Sequence, residues 1–392
     1  MYRTKTTSQL IKEKNINEIF QIIRDEKAIS RVEIAKKMKL SQTSVGRSVS
    51  ELMDAGYVVE GENVGNSVGR QRIQLRIVPD RALALGIYLQ RQSIDAGLVD
   101  VNGNLIRKSS FMFAETEQTD IVENVSEVID SILSSLSDQI LSHLVGIGIT
   151  IPGASVNYRE GIILHSEELG VSSFHLGSRL QAVYPYTIII DTDVNSEAKA
   201  QKFLNSVENP DEFIVIHLGT GISLAQMING KIARGAHNCS GELGHIITET
   251  NGVLCECGRR GCLQTVIGRR GIEKQLGISF SDAVKRYHEN DRDCQYLLNR
   301  AVHQISVWLA NMIHLYDPRE VILTGSMIDE WEEMFDMIVR NAKRYTGNYF
   351  TYDYSVKRPL LRGIDNHIVV AASNIFYKFS RKKTENYFDF SR

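Results

Sequence analysis

The sequence predicts a mixed α/β protein, an N-terminal winged helix-turn-helix followed by an α/β body in two lobes. Three observations lead there. Residues 1–80 hold three amphipathic helical stretches and then a short hairpin, the element order of a winged helix-turn-helix. Behind them an antiparallel meander gives way to strands mixed with helices, the pattern of packed α/β layers. At 392 residues the chain is also too long for one core. The divisions expected are 1–80 for the winged module, 81–191 for a first lobe and 192–392 for a second.

In the first helix Ile11, Ile16, Ile19, Phe20, Ile22 and Ile23 recur at helical spacing between lysines and glutamates. A short second helix begins at Ser30 or Arg31, with Val32, Ile34, Ala35 and Met38 apolar. Lys39-Leu40-Ser41 makes a tight turn, and Ser41 is a natural N-cap for a third helix that runs to about Ala55 and stops at Gly56. That helix turns Val45, Val49, Leu52 and Met53 inward and leaves Gln42, Thr43, Ser44 and Arg47 on the opposite side of its first turns. Such short or forked hydrogen-bonding groups can lie along base edges in a major groove. Residues 57–60, 61–69 and 72–77 form strand, tip and strand of the wing, with Arg70 and Arg72 placed for a phosphate backbone or a minor groove. The candidate DNA-contacting residues are Arg31, Ser41, Gln42, Thr43, Ser44, Arg47, Arg70 and Arg72. Charge agrees: residues 1–81 hold fifteen Lys and Arg against ten Asp and Glu, although the whole chain carries −2. A basic module on an acidic body suits a polyanion partner for the first part only. The competing reading is a helical packing module whose arginines simply face solvent.

Residues 79–81 read as a short linker. Apolar strands follow at 82–89 and 93–99, with a hairpin signal at Asn102-Gly103-Asn104. Ile121, Val125, Val128, Ile129, Ile132, Leu133, Leu136 and Ile140 predict one long amphipathic helix over 119–143. Residues 144–151 form a buried strand stopped by Pro152-Gly153, and 187–191 another, entering Asp191-Thr192-Asp193-Val194-Asn195 and a helix to about Leu204. A strand at 213–218 runs into Gly219-Thr220-Gly221, a helix covers 295–316, a late strand 321–325, and a closing helix 366–380, assigned to the second lobe.

His245, Cys255, Cys257 and Cys262 fall within eighteen residues. Thiolates with an imidazole select zinc, and three sulfurs with one nitrogen make a closed, structural set. Gly258 and Gly261 let the chain turn sharply enough for Cys262 to rejoin its partners, and Glu242 beside this loop would be held rigidly. Reduced thiols in a turn are the alternative. The composition, 43% hydrophobic and 23% charged, is that of an ordinary globular protein. Outside the cluster only Cys239 and Cys294 remain, which is no disulfide framework and fits a reducing, cytoplasmic location. The N-terminus opens on a charged amphipathic segment, unlike a signal peptide. No apolar run approaches the roughly 20 residues of a membrane span.

In Gly146-x-Gly148-x-x-x-Pro152-Gly153, Asp193-Val194-Asn195, Leu218-Gly219-Thr220-Gly221-Ile222, Gly241-Glu242-Leu243-Gly244-His245 and Cys-x-Cys-Gly-x-x-Gly-Cys, the chain resembles the ROK family over almost its whole length. The family is named for repressors, open reading frames and sugar kinases. The resemblance implies actin-like (ribonuclease H-like) lobes with a sugar in the cleft and structural zinc beneath it. With its N-terminal module the chain is similar to the family's sugar-responsive repressors, of the xylose and N-acetylglucosamine repressor type. That likeness implies a double-stranded operator, a homodimer or homotetramer, and a sugar or sugar phosphate as effector.

Carried onto this sequence, the effector site comprises Gly153, Asp193, Glu242, His245, Gln264 and Glu168, and departs from the family at two of them. Gln264 stands where a glutamate usually follows the last cysteine, and Glu168 lies in Ser166-Glu167-Glu168-Leu169-Gly170, where relatives place an amide. The kinases' first phosphate loop is replaced by Tyr88, Gln90, Arg91 and Gln92, without glycine. Phosphoryl transfer needs small residues and backbone amides around the phosphates, so no catalytic residue is expected. Two alternatives stay open: an ATP-dependent sugar kinase, and a DNA-binding regulator that has lost its effector.

Overall fold

A computed structural model describes residues 7–61, 73–113, 120–166, 168–347, 353–361 and 366–380. The wing tip with Arg70 and Arg72, and Glu167, lie outside the described residues.

The N-terminal module is α1 (Thr7–Glu26), β1 (Ile29–Ser30), α2 (Arg31–Met38), α3 (Gln42–Asp54), β2 (Val58–Glu60) and β3 (Gln74–Ile77), its strands ordered β1-β3-β2 and antiparallel. Local chemistry sets each boundary. Ser30 and Glu33 form a reciprocal capping box at α2. Lys39 adopts φ 54° in the turn, Ser41 Oγ accepts from Ser44 N at 3.1 Å to start α3, and Gly56 at φ 78° follows its end. The strand β1, two residues that end on the capping serine Ser30, was not anticipated. The expected linker is a 3₁₀ turn, Pro79–Arg81, in which Arg81 Nε donates to Ala55 O at 2.9 Å. It is a strap. Ile19, Phe20 and Ile23 of α1 belong to the same buried cluster as Phe203, Ile368 and Phe376 of the body.

The body begins with the meander β4 (Leu83–Leu89), β5 (Ser93–Asp100) and β6 (Leu105–Met112). The long helix expected next is two, α4 (Asp120–Ser134) and α5 (Asp138–Ser142), because Ser137 caps a new helix by accepting from Ile140 N. Then come β7 (Leu144–Ile151), a small antiparallel sheet of β8 (Ala154–Asn157), β9 (Ile162–Ser166) and β10 (Val171–Phe174), α6 (Leu176–Gln181), and β11 (Thr187–Thr192). The first sheet is ordered β11-β7-β4-β5-β6, with β11, β7 and β4 parallel.

The helix α7 (Asp193–Phe203) leads to the second sheet, built from β12 (Phe213–Leu218), β13 (Ile222–Ile228) and β14 (Lys231–Ile232). The metal-ligand loop and the helices α8 (Leu263–Ile267), α9 (Arg269–Leu276), α10 (Phe280–His288) and α11 (Arg292–Tyr316) follow. The last elements are β15 (Glu320–Thr324), α12 (Ser326–Glu330), α13 (Glu332–Thr346), β16 (Ser355–Lys357) and α14 (Asn366–Ser380). The second sheet is ordered β14-β13-β12-β15-β16, its core shared with α11 and α13. Assigning the closing helix to the second lobe needs correction, since α14 lies on the first sheet. A Cβ on Gly86 of β4 would sit 2.0 Å from Ile368 O, and one on Gly148 of β7 would sit 1.9 Å from Ala371 O. The glycines cut a groove into which the helix backbone settles. Among the described residues no helix is long and apolar enough to cross a membrane.

Where β11 meets α7, the carboxylate of Asp191 has no solvent exposure. It ion-pairs with Lys199 of α7 and with Arg234 beyond β14, whose Nη1 donates to Asp191 Oδ1 at 3.0 Å. Lys199 Nζ also donates to Asn374 Oδ1 of α14 at 2.6 Å, and Ser196 and Thr150 extend the network. Burial by itself would raise the Asp191 carboxyl, but the two cations outweigh it and hold the group below the carboxylate range. A depressed carboxylate contributes stability at pH values above its unfolded pKa and loses it as pH falls through the folded one; here that loss is confined to strongly acid solution. Asp191→Asn removes the carboxylate that pairs with both Lys199 and Arg234 and should cost about 3–5 kcal/mol, measured as a fall in the urea midpoint at neutral pH. An unchanged midpoint would show that the cluster does not hold the lobes.

Candidate metal centre, interlobe cleft and nucleic-acid interface

Leu224 N of β13 donates to Gly241 O at 2.8 Å, and a Cβ on Gly241 (φ 101°) would fall 1.9 Å from Leu224 O. Only glycine lets the chain lie this close, so Glu242 springs from a fixed point. Leu243 is buried in the second core, which positions the 3₁₀ turn Leu243–His245. The loop beyond folds on itself through Cys255 N to Arg259 O at 2.7 Å and Gly258 N to Cys255 O at 2.9 Å. At Gly261 (φ 70°) a Cβ would meet Glu249 O at 1.6 Å.

This folding gathers His245, Cys255, Cys257 and Cys262 so that their ligand atoms all lie within 4.8 Å of one another. Cys255 Sγ is 3.7 Å from His245 Nδ1, and Cys257 Sγ is 3.6 Å from Cys262 Sγ. A tetrahedral ion with metal–sulfur bonds of about 2.3 Å and metal–nitrogen bonds of about 2.0–2.1 Å requires edges of about 3.6–3.8 Å. The cluster fits a tetrahedral metal ion. Burial opposes ionisation of Cys257, yet the Arg259 amide and side chain and the neighbouring thiols bring it down to about 6. Burial pushes Cys262 up to about 12. One sulfur is therefore a ready thiolate, the form that binds metal. Cys239 and Cys294 stand apart as free thiols.

His245 turns Nδ1 toward Cys255, and its Nε2 lies 4.0 Å from Glu242 Oε2. At that separation the carboxylate faces the imidazole without a hydrogen bond between them. The other oxygen of Glu242 accepts from Ser155 Oγ of β8 at 3.2 Å, so this exposed carboxylate touches both lobes. Gln264, on the first turn of α8, points its amide nitrogen at Cys255 Sγ (3.6 Å), and its Oε1 lies 2.6 Å from the Cβ position of Gly244. A glutamine can donate to a thiolate where a glutamate would repel it.

Asp193 opens α7, with Thr192 as N-cap. Asp193 and Glu168 both lie near Tyr88: burial first, then these two carboxylates and Asp95, raise its phenol far above the ordinary range. Burial, with Asp193 and Asp329 adding, likewise raises Glu197 to about 7. Glu168 Oε1 accepts from Arg91 N at 3.5 Å. Gly153 is exposed at φ 55° with nothing within 4 Å of a Cβ there.

The turn between β4 and β5, where the family resemblance would put the kinases' first phosphate loop, is closed by side chains. Gln90 N donates to Ser93 O, and Ser93 Oγ to Gln90 Oε1, both at 2.9 Å, closing the β4–β5 turn. Tyr88 stacks on His367 of α14, ring centroids 4.3 Å apart and planes at 12°. Across from them the imidazole of His217 covers Gly219, its Nε2 2.6 Å from that residue's Cβ position. Burial, then His217, lowers the His367 imidazole, keeping it neutral in the stack. His217, His367, Ser155 and Arg234 were not singled out in the sequence. Only His217, two residues before Gly219, carried a local signal.

On the N-terminal module Ser41, Gln42, Thr43, Ser44 and Arg47 are all exposed along one side of α3. Arg31 is engaged instead: Nη1 pairs with Glu60 at 2.9 Å and Nη2 lies 3.3 Å from Met53 Sδ, bracing the wing's first strand against α3.

Comparison with known proteins agrees with this assembly. Residues 84–364 match the ROK family, and residues 13–59 match a winged helix-turn-helix DNA-binding family. The xylose repressor of Bacillus subtilis is 26% identical over 326 residues, covering 81% of this chain and 84% of that one. A solved ROK family transcriptional regulator, described as a homologue of the Escherichia coli MLC protein, superposes with a TM-score of 0.79 at 22% identity, covering 93% of this chain and 96% of that one. The ROK hexokinase of Thermus thermophilus gives 0.64 at 20% identity, covering 76% of this chain and 98% of that one.

Two substitutions test the metal centre. Cys257→Ser should abolish stoichiometric metal after dialysis against a chelator, read by elemental analysis, and undiminished metal would overturn the ligand assignment. Gln264→Glu should lower metal affinity about 10–100-fold, the usual cost of disturbing a ligand's outer partner, read by competition with a chromophoric chelator.

Proposed function

This chain belongs to the ROK family, and from that premise we propose that it is a sequence-specific DNA-binding transcriptional repressor of carbohydrate-utilisation genes, released by a sugar or sugar phosphate between its lobes. One observation supports the reading: α3 carries an exposed polar face and is strapped through Arg81 to a ROK body, whose phosphate site we take to be occupied by the stacked side chains of Tyr88 and His367.

Gln42, Thr43, Ser44 and Arg47 would read base edges, Ser41 and the wing arginines Arg70 and Arg72 would hold phosphates, and Arg31 would set the wing's angle. In the cleft Asp193 and Glu242 would accept from adjacent sugar hydroxyls, with Gly153 leaving space and Glu168 at the rim. Zinc, held by His245, Cys255, Cys257 and Cys262, would be structural, fixing His245 and through it Glu242. A homodimer or homotetramer in the cytoplasm would present two recognition helices to half-sites about 34 Å apart. An effector that prefers one lobe angle would change that separation.

The kinase alternative draws on similarity to the hexokinase. Against it stand side chains that occupy the space where phosphates would bind, and the absence of a glycine loop between β4 and β5. No sugar-dependent consumption of ATP is expected. Regulation without an effector is the third reading; an effector that binds only the native state must raise its melting temperature, so an unchanged melting temperature across pentoses, hexoses and their phosphates would favour that reading. Operator affinity should fall steeply between 50 and 200 mM salt, by about a thousandfold or more for six phosphate contacts. Arg47→Ala should cost about 1–3 kcal/mol of operator affinity in a gel-shift titration, and an equal loss on random DNA would refute base reading by Arg47.

A further inference from the structure

Building on the functional reading above, we propose that α7 is the element that carries effector occupancy from the cleft to the DNA-reading module, and that the stacking of Arg24 on Phe203 is its coupling contact. The helix is an unbroken run of 11 residues, about 16 Å long. Its first residue, Asp193, follows directly on β11 and lies within electrostatic reach of Tyr88 of β4 and of Glu197. Its last, Phe203, is 3% exposed and belongs to the core that the body shares with α1. There Phe203 stacks on Phe376 of α14 at 5.0 Å, and the guanidinium of Arg24 lies 4.1 Å from the centroid of the Phe203 ring.

Arg24 is placed with care for a residue whose neighbours are apolar. Its side chain is 8% exposed, and its Nε and Nη2 both donate to Asp25 Oδ1, at 2.9 and 2.7 Å. Ile19, Phe20 and Ile23 lie in the same buried cluster as Phe203 and Phe376, so apolar packing is at hand and cohesion alone does not call for a buried guanidinium. A cation over a ring is a short-range, directional contact, so a small displacement of Phe203 alters it where a greasy seam would slide. The middle of α7 is pinned, Lys199 to Asp191 and Asn374, and Ser196 to Asn374. A pull on Asp193 therefore moves a stiff rod about that pivot, and the far end meets α1. Coupling of this kind is reciprocal: operator binding must weaken effector binding by the same factor.

The test uses the full-length chain, an operator duplex selected by the wild type from a random library, and D-xylose, D-glucose, N-acetyl-D-glucosamine and glucose 6-phosphate as probes. In the wild type the effective sugar should weaken operator binding by about tenfold or more, within the usual 5–150-fold range of allosteric coupling. Arg24→Met keeps the aliphatic stem; it should reduce that weakening to less than about twofold, with sugar-free operator affinity and the sugar-induced rise in melting temperature both retained. Phe203→Leu should behave alike, and Arg24→Lys should recover part of the response. Full release by sugar in both Arg24→Met and Phe203→Leu overturns the coupling. So does a loss of sugar-free operator affinity as large as the loss of response, which marks the contact as purely structural. A wild type that binds its operator but ignores every probe sinks the functional reading and the coupling together, and is told apart by the missing melting shift.

Discussion

The arrangement depends on a single buried carboxylate. Asp191 is the penultimate residue of β11, Lys199 lies about two turns along α7, and Arg234 approaches from the segment after β14. Moving one anion and two cations out of water is expensive, and only close mutual pairing repays it. The pairing can form only if the first sheet, α7, α14 and the segment after β14 are all in register, because Asn374 shares the lysine. Charge thus sets the relative position of the lobes, which apolar packing could satisfy in several ways. The Arg234 guanidinium completes the link by lying 3.8 Å from the centroid of the Tyr158 ring, a residue of the loop after β8.

The metal loop holds the other wall of the cleft by different means. Gly241 and Gly261 bring backbone against backbone where any side chain would collide, and the four candidate ligand atoms converge to within 4.8 Å of one another. Glu242 stands between the two devices, 4.0 Å from His245 Nε2 on one side and accepting from Ser155 Oγ on the other. A carboxylate held this way pays little reorganisation on meeting a polyol.

Much of this could be read from the residues alone, and the reason is distance along the chain. The cap at Ser41, the glycine stop at Gly56 and the cluster His245, Cys255, Cys257 and Cys262 are local, so spacing reveals them; the capping box at Ser30 emerged only in the structure. The partner of α14 was not legible, since an apolar face says that something covers it and not what. Gly86 and Gly148, two glycines in neighbouring strands, were the available clue. The break after Ser134 was hidden because Leu136 and Ile140 continue the apolar period across it, while the decisive feature was the capping side chain of Ser137. Ser155, Arg234 and His367 join the cleft from remote segments and have no motif around them. The substitution at Gln264 was visible, but its use was not: its amide faces Cys255 Sγ, a contact that only the folded loop reveals.

The core shared by α1, Phe203 and Phe376 has an evolutionary corollary. A division drawn near residue 80 is a boundary of sequence, not of packing, because the buried residues of α1 and those of the body form one continuous cluster across it, with Arg24 seated on Phe203. Reading heads cannot then be exchanged among relatives as interchangeable modules. A working chimaera would have to import the seat together with the head, down to the rings at 203 and 376, which ties the inheritance of a new operator to that of the body beneath it.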